Sequence, residues 1–510
     1  MNGCPILDRC LFTQNGHTTS EVKQMDHRSL WQKTSSIPDK YPPLHSDISC
    51  DVVVVGAGLT GVLTAWMLQE LGLDVVLLDS GVPGQGATAH TTAKITALHG
   101  FFYSNMISSH GIDAAKQYFF ANQSAIERYS DLIKTKNISC DFQKVDCFLY
   151  ARSCSASVRN ELSALKALGA TPQLTTETQL PFAISAALKL ENQAIFHPLK
   201  FLYALLPYLR VYENSTVKKI TGNKVITDQA AVSAKHIVIA TRYPFFLLPG
   251  LFFSRMHQER SYALSISNTP PMDAMYIDVE KNGVTFRPWS EQVILSGFSH
   301  RTGHAPIQSG YDALQLCAQR WYPGYQPTAQ WSTEDCIPAD HVPYIGSYEH
   351  GSVRVYVATG FQKWGMSSAM VAAKILADSI CGRKNPFAPL FTPHRFPGAK
   401  ALGTILHDGA ISSGNLAKQI FFVPRTNLQH IQPGQGGIVQ WKGCKAGVFH
   451  HEDGKYYFVS TRCPHMGCQL SWNATERSWD CPCHGSRFSY DGTRLDPPAK
   501  ENLPCKCCKA

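Results

Sequence analysis

Two short stretches near the end of the chain, "CPHMGC" and "CPCHGS", concentrate side chains that bind metals. They hold four Cys and two His: Cys463, His465, Cys468, Cys481, Cys483 and His484. Read as C-x-H and C-x-x-H, they offer two Cys and two His as ligands, with 15 residues between His465 and Cys481. Zinc is one metal that such a set can hold, so the residue types alone do not decide the metal.

The N-terminal part of the chain carries a second pattern with chemical meaning. "GAGLTG" matches G-x-G-x-x-G at Gly56, Gly58 and Gly61, directly after the apolar run 52–55. The first glycine permits a tight turn, the second lets a pyrophosphate approach the backbone, and the third lets the next helix pack closely on the strand. The start of that helix favours an anion, and Asp79 is placed to bind a ribose hydroxyl. The pattern predicts a dinucleotide site.

Both patterns need elements that hold them in place. Apolar runs predict buried strands at 52–55 and Val75–Leu78, and helical spacing predicts a helix over 60–72 between them. Residues 101–180 are predicted to be mostly helical around a short strand, "CFLY". Further strands are expected at "TVKKI", "HIVIAT", "SYALSI", "VTFRPW", "QVILSGFS" and "VRVYVATG". After Gly436, short strands and turns indicate a small all-β module.

The composition is that of a globular protein, with 44% hydrophobic and 17% charged residues among 510. The net charge of +9 is spread along the chain, so we expect no nucleic-acid partner. No run of 18 apolar residues and no secretory signal is present, which predicts a cytoplasmic protein without a transmembrane segment. Peripheral membrane association stays open. Most of the 17 Cys are expected to be reduced.

Four stretches, in this order, resemble the FAD-dependent oxidoreductase family that includes D-amino-acid, glycine and sarcosine oxidases. They are the unit around "GAGLTG", "GQGATAHTTAKIT" at 84–96, "HIVIAT" ending at Thr241, and "VYVATGFQKWGMSSA" at 355–369. "EDCIPADHVPYIG" before the last stretch also fits. The resemblance spans about 49–390 and implies FAD as cofactor. The FAD-binding residues it implies are Gly56, Gly58, Leu59, Thr60, Gly61, Asp79, Ser80, Gly86, Thr88, Thr91, Thr92, Val217, Ala240, Thr241, Gly360, Trp364, Gly365 and Met366.

The family fold implies an α/β protein in which a Rossmann-like FAD-binding domain is interleaved with a β-sheet substrate domain, followed here by a small all-β domain. The predicted segments are a tail and linker (1–48), the FAD-binding domain (49–100, 191–250 and 330–390), the substrate domain (101–190 and 251–329), a linker (391–421) and the C-terminal domain (422–507).

The substrate domain carries no comparable pattern, so the catalytic residues stay unknown. Weak candidates lie in or beside strands that could face a pocket: Arg260, Tyr262, Arg287 and His300. An Arg would suit a substrate carboxylate, because its guanidinium binds both oxygens at once. A structural or surface role is the alternative for each.

The C-terminal Cys and His residues resemble the Rieske motif of the cytochrome bc-complex type. In that family two Cys bind one iron of a [2Fe–2S] cluster and two His bind the other, which implies Cys463, His465, Cys481 and His484 as ligands. In bc-type members a disulfide ties the two loops together, and the residues at those positions are Cys468 and Cys483. Two free thiols are the alternative.

Two further positions bear on the cluster's potential. Ser486 is expected to donate a hydrogen bond to a bridging sulfide. High-potential members have a Tyr where this chain has Phe488, which implies a lower potential here. "DGTRLDPPA" resembles the Pro-rich loop that covers the cluster. Cys505, Cys507 and Cys508 in the tail are expected to be exposed thiols, with a metal site as the alternative.

Together the two resemblances imply an FAD-dependent oxidoreductase with a Rieske [2Fe–2S] centre. The implied reaction is hydride removal from the C–N bond of an amine or amino acid, followed by single-electron transfer through the cluster to a partner protein or quinone. One alternative is a reductase in which electrons run from the cluster to the flavin. A second is a redox sensor or electron carrier without turnover. The substrate, the partner and the oligomeric state are not predicted.

Overall fold

The computed structural model of the chain describes residues 27–38, 40–245, 252–280, 282–304, 308–348, 354–395, 403, 409, 414 and 427–504. The three tail cysteines Cys505, Cys507 and Cys508, and most of the predicted linker, lie outside these residues. None of the described helices combines the length and the apolar character that crossing a bilayer requires.

A mainly parallel sheet forms the centre of the N-terminal two thirds of the chain. Its strands lie in the order Tyr344–Ser347, Arg354–Thr359, Ala231–Ile239, Ile48–Val55, Val75–Leu78 and Arg210–Tyr212, with the hairpin Lys219–Thr221 and Lys224–Ile226 beside Ala231–Ile239. The valines 52–55 and all of Val75–Leu78 are buried, because a parallel sheet is covered by helices on both faces. The predicted strands at 52–55 and Val75–Leu78 are therefore confirmed.

The second sheet is mixed and lies beside the first. Its strands run in the order Gln326–Pro338, Met256–Ser267, Gln292–Arg301, Val284–Trp289, Met275–Asp278, Gln143–Ala151, Ala186–Ile195 and Lys94–Ile95, and Gln173–Thr175 pairs with Ala186–Ile195. Lys94–Ile95 and the end of Gln326–Pro338 belong to segments predicted for the FAD-binding domain. The chain thus crosses between the two domains within these strands.

Helices cover the first sheet and fill the space between the domains. Leu59–Glu70 packs against Gly365–Ile380, which also contacts Ile112–Thr135. The other helices are Leu30–Lys33, Ala87–His90, Tyr103–His110, Ser155–Ala167, Pro198–Leu205, Phe252–Arg255, Gly310–Trp321 and Ala388–Phe391, with short 3₁₀ turns at Leu206–Tyr208 and Leu428–His430.

The C-terminal module is all β within its described residues, as predicted. One antiparallel sheet consists of Gly436–Trp441, Cys444–His450 and Tyr456–Ser460, and the other of Ser471–Asn473, Ser478–Asp480, Arg487–Ser489 and Arg494–Asp496. The two Cys/His stretches form the loops 461–470 and 481–486, which connect these strands. The short strands thus hold both loops at one end of the module.

Candidate functional site

The three glycines of "GAGLTG" are needed for two different structural reasons. Gly56 has a φ of +103°, and a Cβ there would lie 2.7 Å from the carbonyl oxygen of Ala240. A Cβ at Gly61 would lie 1.8 Å from the carbonyl oxygen of Gly56, so these two residues permit the turn and the helix packing. At Gly58 a Cβ would meet only the Thr88 hydroxyl, at 3.4 Å. Gly58 therefore leaves open the space that a ligand would fill.

Asp79 and Thr88 shape the same turn. The Asp79 carboxylate accepts hydrogen bonds from the backbone N–H of Ala57 at 2.7 Å and of Gly81 at 2.9 Å, and burial raises its pKa to about 6. The Thr88 hydroxyl accepts from the N–H of Leu59 at 3.0 Å, at the start of the helix. The polar groups at the end of the strand are thereby fixed around the dinucleotide position.

A cavity of about 830 Å³ opens at this turn, a size that suits a bound small molecule. Every predicted FAD residue except Gly61 lines it: Gly56, Gly58, Leu59, Thr60, Asp79, Ser80, Gly86, Thr88, Thr91, Thr92, Val217, Ala240, Thr241, Gly360, Trp364, Gly365 and Met366. Gly61 lies behind the turn. Stretches far apart in sequence thus meet around one space, whose glycine-lined turn fits the FAD that the family binds.

Polar and charged side chains outside the predicted set also line this cavity, and the sequence analysis missed them. Lys94, Ser261, Thr285, Ser299 and Asp335 come from the second sheet, and Lys363 comes from the loop after Arg354–Thr359 of the first sheet. Lys94 donates to the hydroxyls of Thr92 at 3.1 Å and Thr285 at 3.0 Å, and burial lowers its pKa to about 7. Burial raises the pKa of Asp335 to about 7, against the opposing charge of Lys363. Asp335 lies in "EDCIPADHVPYIG", and the resemblance of that stretch to the oxidase family was the one sequence feature that pointed to this region.

The four weak catalytic candidates do not reach the cavity. The Arg260 guanidinium pairs with Glu476 of the C-terminal module, with Nη2 2.9 Å from Oε1. The Tyr262 hydroxyl lies 3.0 Å from Nε2 of His300. Arg287 is fully buried, donates to the carbonyl oxygen of Phe196 and lies over the Trp31 ring. Each of the four side chains has at least one structural contact, and none of them lines the cavity.

The two Cys/His loops share one backbone pattern. The N–H of Gly467 donates to the carbonyl of Cys463 at 2.9 Å, and the N–H of Gly485 donates to that of Cys481 at 3.0 Å. The N–H of each of these cysteines in turn donates to the carbonyl oxygen five residues later, that of Cys468 or Ser486. The same loop is therefore built twice, and each copy points one Cys and one His inward.

These four side chains meet. The rings of His465 and His484 lie 4.9 Å apart at 87°, and Cys463 and Cys481 are both buried in one apolar cluster. Nδ1 of both histidines is buried and has no hydrogen-bond partner among the described residues. Burial lowers the pKa of His465 to about 4 and of His484 to about 3, so both rings are neutral, as metal ligands must be. The donor set fits a Rieske cluster.

Cys468 and Cys483 form a disulfide between the two loops. The alternative of two free thiols is therefore excluded. The Cys481 sulfur lies within 4.8 Å of both disulfide sulfurs, but a disulfide offers no thiolate, so these three cysteines are not a separate metal site. The Ser486 hydroxyl hydrogen-bonds to the Cys463 thiol, and Phe488 is fully buried.

Ion pairs join the module to the flavin domain. The side chains of Arg260 and Glu476 are both buried, whereas Arg242 and Asp496, 2.8 Å apart, are partly buried; Arg242 also pairs with Glu334 of its own domain at 3.1 Å. Although burial opposes it, Arg260 and neighbouring arginines hold the pKa of Glu476 well below its usual range. A buried pair that loses one partner leaves an uncompensated charge, which costs roughly 3–5 kcal/mol. The module is therefore held in one orientation.

The cluster loops take part in this interface. The Gln258 side chain donates to the carbonyl oxygen of His484, and the ring centroids of Phe253 and His484 are 5.7 Å apart. His484 is buried, whereas His465 is only partly buried. One histidine ligand thus faces the flavin domain and the other lies nearer to solvent.

Comparisons with known proteins agree with this arrangement. The family model of FAD dependent oxidoreductases matches residues 51–379, and that of the Rieske [2Fe-2S] domain matches 422–506. YhfW of Bacillus subtilis (strain 168), named as a Rieske 2Fe-2S iron-sulfur protein, is 34% identical over 506 residues, which is 96% of this chain and 98% of YhfW.

Two further similarities concern the flavin part. Gamma-glutamylputrescine oxidoreductase of Escherichia coli (strain K12) is 26% identical over 239 residues, 42% of this chain and 54% of that protein. The crystal structure of glycine oxidase from Geobacillus kaustophilus superposes with a TM-score of 0.59 at 18% identity, over 69% of this chain and 100% of that one. At that identity the match shows the shared fold.

Proposed function

The chain belongs to the FAD dependent oxidoreductase family and carries a Rieske [2Fe-2S] domain, and on that premise we propose that it oxidises an amine or amino acid at its C–N bond. In this reaction the substrate loses two electrons and two protons and becomes an imine. The electrons leave one at a time through the cluster to a partner protein or quinone.

One observation supports electron transfer between the two parts of the chain: the cluster module is part of the flavin cavity. Residues 494–500 of the module line the cavity, and His484 contacts Gln258 and Phe253 of the flavin domain. A module that served only as a separate carrier would not need this shared wall. The arrangement supports electron transfer within one molecule.

The cavity also supports an amine as substrate. Bound FAD supplies a two-electron acceptor for hydride. Hydride loss from carbon requires the neutral amine, so the proton of a bound ammonium must first be taken up. Asp335 lines the cavity and has a pKa of about 7, which suits a general base near neutral pH. The matched relative that acts on gamma-glutamylputrescine, also an amine, agrees with this choice.

The side chains that line the second-sheet side would orient the substrate. Lys363, which lines the same cavity, already pairs with Glu259 at 3.1 Å. Lys94 donates to the hydroxyls of Thr92 and Thr285, so Lys94 in its protonated form is the group proposed to bind the carboxylate of an amino acid. The electrons are proposed to leave at His465, which is only partly buried and is flanked by exposed Pro464 and Met466. In this proposal, Asp335 acts as the general base, and the electrons leave the protein at His465.

An anaerobic screen tests the proposal. The purified protein is mixed with single amines and amino acids, and the flavin absorbance is followed. We expect at least one compound of these classes to bleach the flavin. If no amine or amino acid does so, while an external one-electron donor reduces the flavin through the cluster, the reductase alternative would replace this proposal.

A further inference from the structure

The Pro loop of the C-terminal module, residues 494–500, has two sides. On one side it covers the metal loops: the N–H of Ala499 donates to the Ser486 hydroxyl at 3.0 Å. Ala499 is 1% exposed and packs in the same apolar cluster as Cys463 and Cys481. This side of the loop belongs to the cluster site.

On its other side, the same loop forms a wall of the flavin cavity. Every residue from Arg494 to Lys500 lines that cavity, as do Gly56 and Gly58 of the dinucleotide turn. Ala499 is therefore shared, since it packs against the cluster cysteines and also lines the flavin cavity. A single residue of chain separates the two sites at this point.

Contacts from both domains hold the loop in place. Asp496 pairs with Arg242 of the flavin domain at 2.8 Å and with Arg487 of its own module at 3.0 Å. The Lys500 ammonium donates to the carbonyl oxygen of Lys218 at 3.4 Å, next to the predicted nucleotide contact Val217. The loop is therefore anchored to both domains.

The charge of the loop fits an anionic ligand. Arg494 and Lys500 both line the cavity, and neither has a carboxylate partner among the described residues. Arg242, by contrast, is neutralised by Glu334 and Asp496. The dinucleotide portion of FAD carries a pyrophosphate, and cations that line the same cavity without a carboxylate partner favour such an anion.

We propose that the Pro loop completes the FAD site, so that FAD binding depends on an assembled cluster module and on the Lys500 charge. If the assembled cluster raises the affinity for FAD, bound FAD raises the affinity for the cluster by the same factor. This proposal rests on bound FAD and not on the identity of the substrate. Its failure and the failure of the amine screen are therefore separate results.

The test measures the affinity of the full-length protein for FAD after the flavin is removed, by quenching of flavin fluorescence. Lys500→Ala is expected to weaken FAD binding about tenfold and to keep the cluster's EPR signal, whereas Lys500→Arg is expected to stay within about twofold of wild type. The control is Lys455→Ala, since Lys455 is an exposed lysine of the same module that pairs with Asp453 and does not line the cavity.

A second variant removes the cluster. Cys481→Ser takes away a ligand, and we expect FAD affinity to fall at least tenfold because the loop loses its support at Ser486 and Ala499. Should this variant lose its fold by circular dichroism, the Lys500 series decides alone. Wild-type FAD affinity in Lys500→Ala, or in a folded cluster-free protein, would overturn the proposal.

Discussion

The cluster site and the substrate side of the flavin cavity are built in opposite ways. The four proposed ligands of the cluster come from two loops of one small module, and each loop has its own hydrogen bonds and a disulfide to the other. The substrate side takes Lys94, Asp335 and Lys363 from separate parts of the chain. We infer that the cluster site tolerates changes elsewhere, whereas the flavin cavity depends on both domains.

The largest expected effect separates the two sites. Gly58→Leu places a side chain where only the Thr88 hydroxyl lies near, so we expect the FAD to be lost completely while iron content stays at the wild-type level. A tenfold coupling through the Pro loop is too small to release a cluster held by four ligands. Gly58→Ala, with one methyl group, should retain part of the FAD. Loss of both cofactors from a folded Gly58→Leu protein would contradict the independence of the cluster site.

The next effect concerns the ligands. His484→Cys adds a negatively charged thiolate at the iron, so the potential should fall by about 100 mV or more, or the cluster should fail to form. The same holds for His465→Cys, and redox titration followed by EPR measures both. An EPR spectrum identical to wild type in either variant would remove that histidine from the ligand set.

On the substrate side, Asp335→Asn should lower kcat/KM for an active amine by about 100-fold, in the usual range for a general base. With a pKa of about 7, Asp335 is the active carboxylate above that pH. The wild-type rate should therefore rise with pH to about 7 and then level off, and the variant should lose this rise. Asp312→Asn, on an exposed helix position, is the matched control. An unchanged pH profile in Asp335→Asn would exclude this base.

The smallest effect is at Phe488, the position of a Tyr in high-potential relatives. Phe488→Tyr should raise the cluster potential, because a hydroxyl that bonds to a ligand sulfur favours the reduced state by about 1 kcal/mol. That corresponds to tens of millivolts for one electron. Since Phe488 is fully buried, an intact EPR signal is needed to show that the oxygen is accommodated. A potential that stays the same or falls would place the ring away from the sulfur.

The difference between the two sites also explains what could be predicted from the sequence. Soft metals and iron–sulfur clusters are held by Cys and His, so Cys463, His465, Cys481 and His484 at their short spacing stand out without a structure. Gly56 and Gly61 could also be predicted, because a Cβ at either position would clash with a backbone carbonyl oxygen.

No comparable rule identifies, from the sequence, the residues on the substrate side of the flavin cavity. Asp335 reaches the cavity only because Gln326–Pro338 pairs with Met256–Ser267, and that pairing leaves no local pattern. Arg260 looked suited to a carboxylate, but its partner is Glu476 of the other module. Contacts between domains depend on the tertiary fold, so neither this ion pair nor the wall formed by residues 494–500 was predicted.

The central claim is that electrons taken from an amine at the flavin reach the cluster in the same molecule. The direct measurement is rapid-freeze EPR, under anaerobic conditions, after mixing the protein with an amine or amino acid that bleaches its flavin. We predict that the signal of the reduced [2Fe–2S] cluster appears as the flavin absorbance decays and that it accounts for one electron per protein. A bleached flavin beside a cluster that stays oxidised, although a chemical reductant can reduce it, would contradict the account.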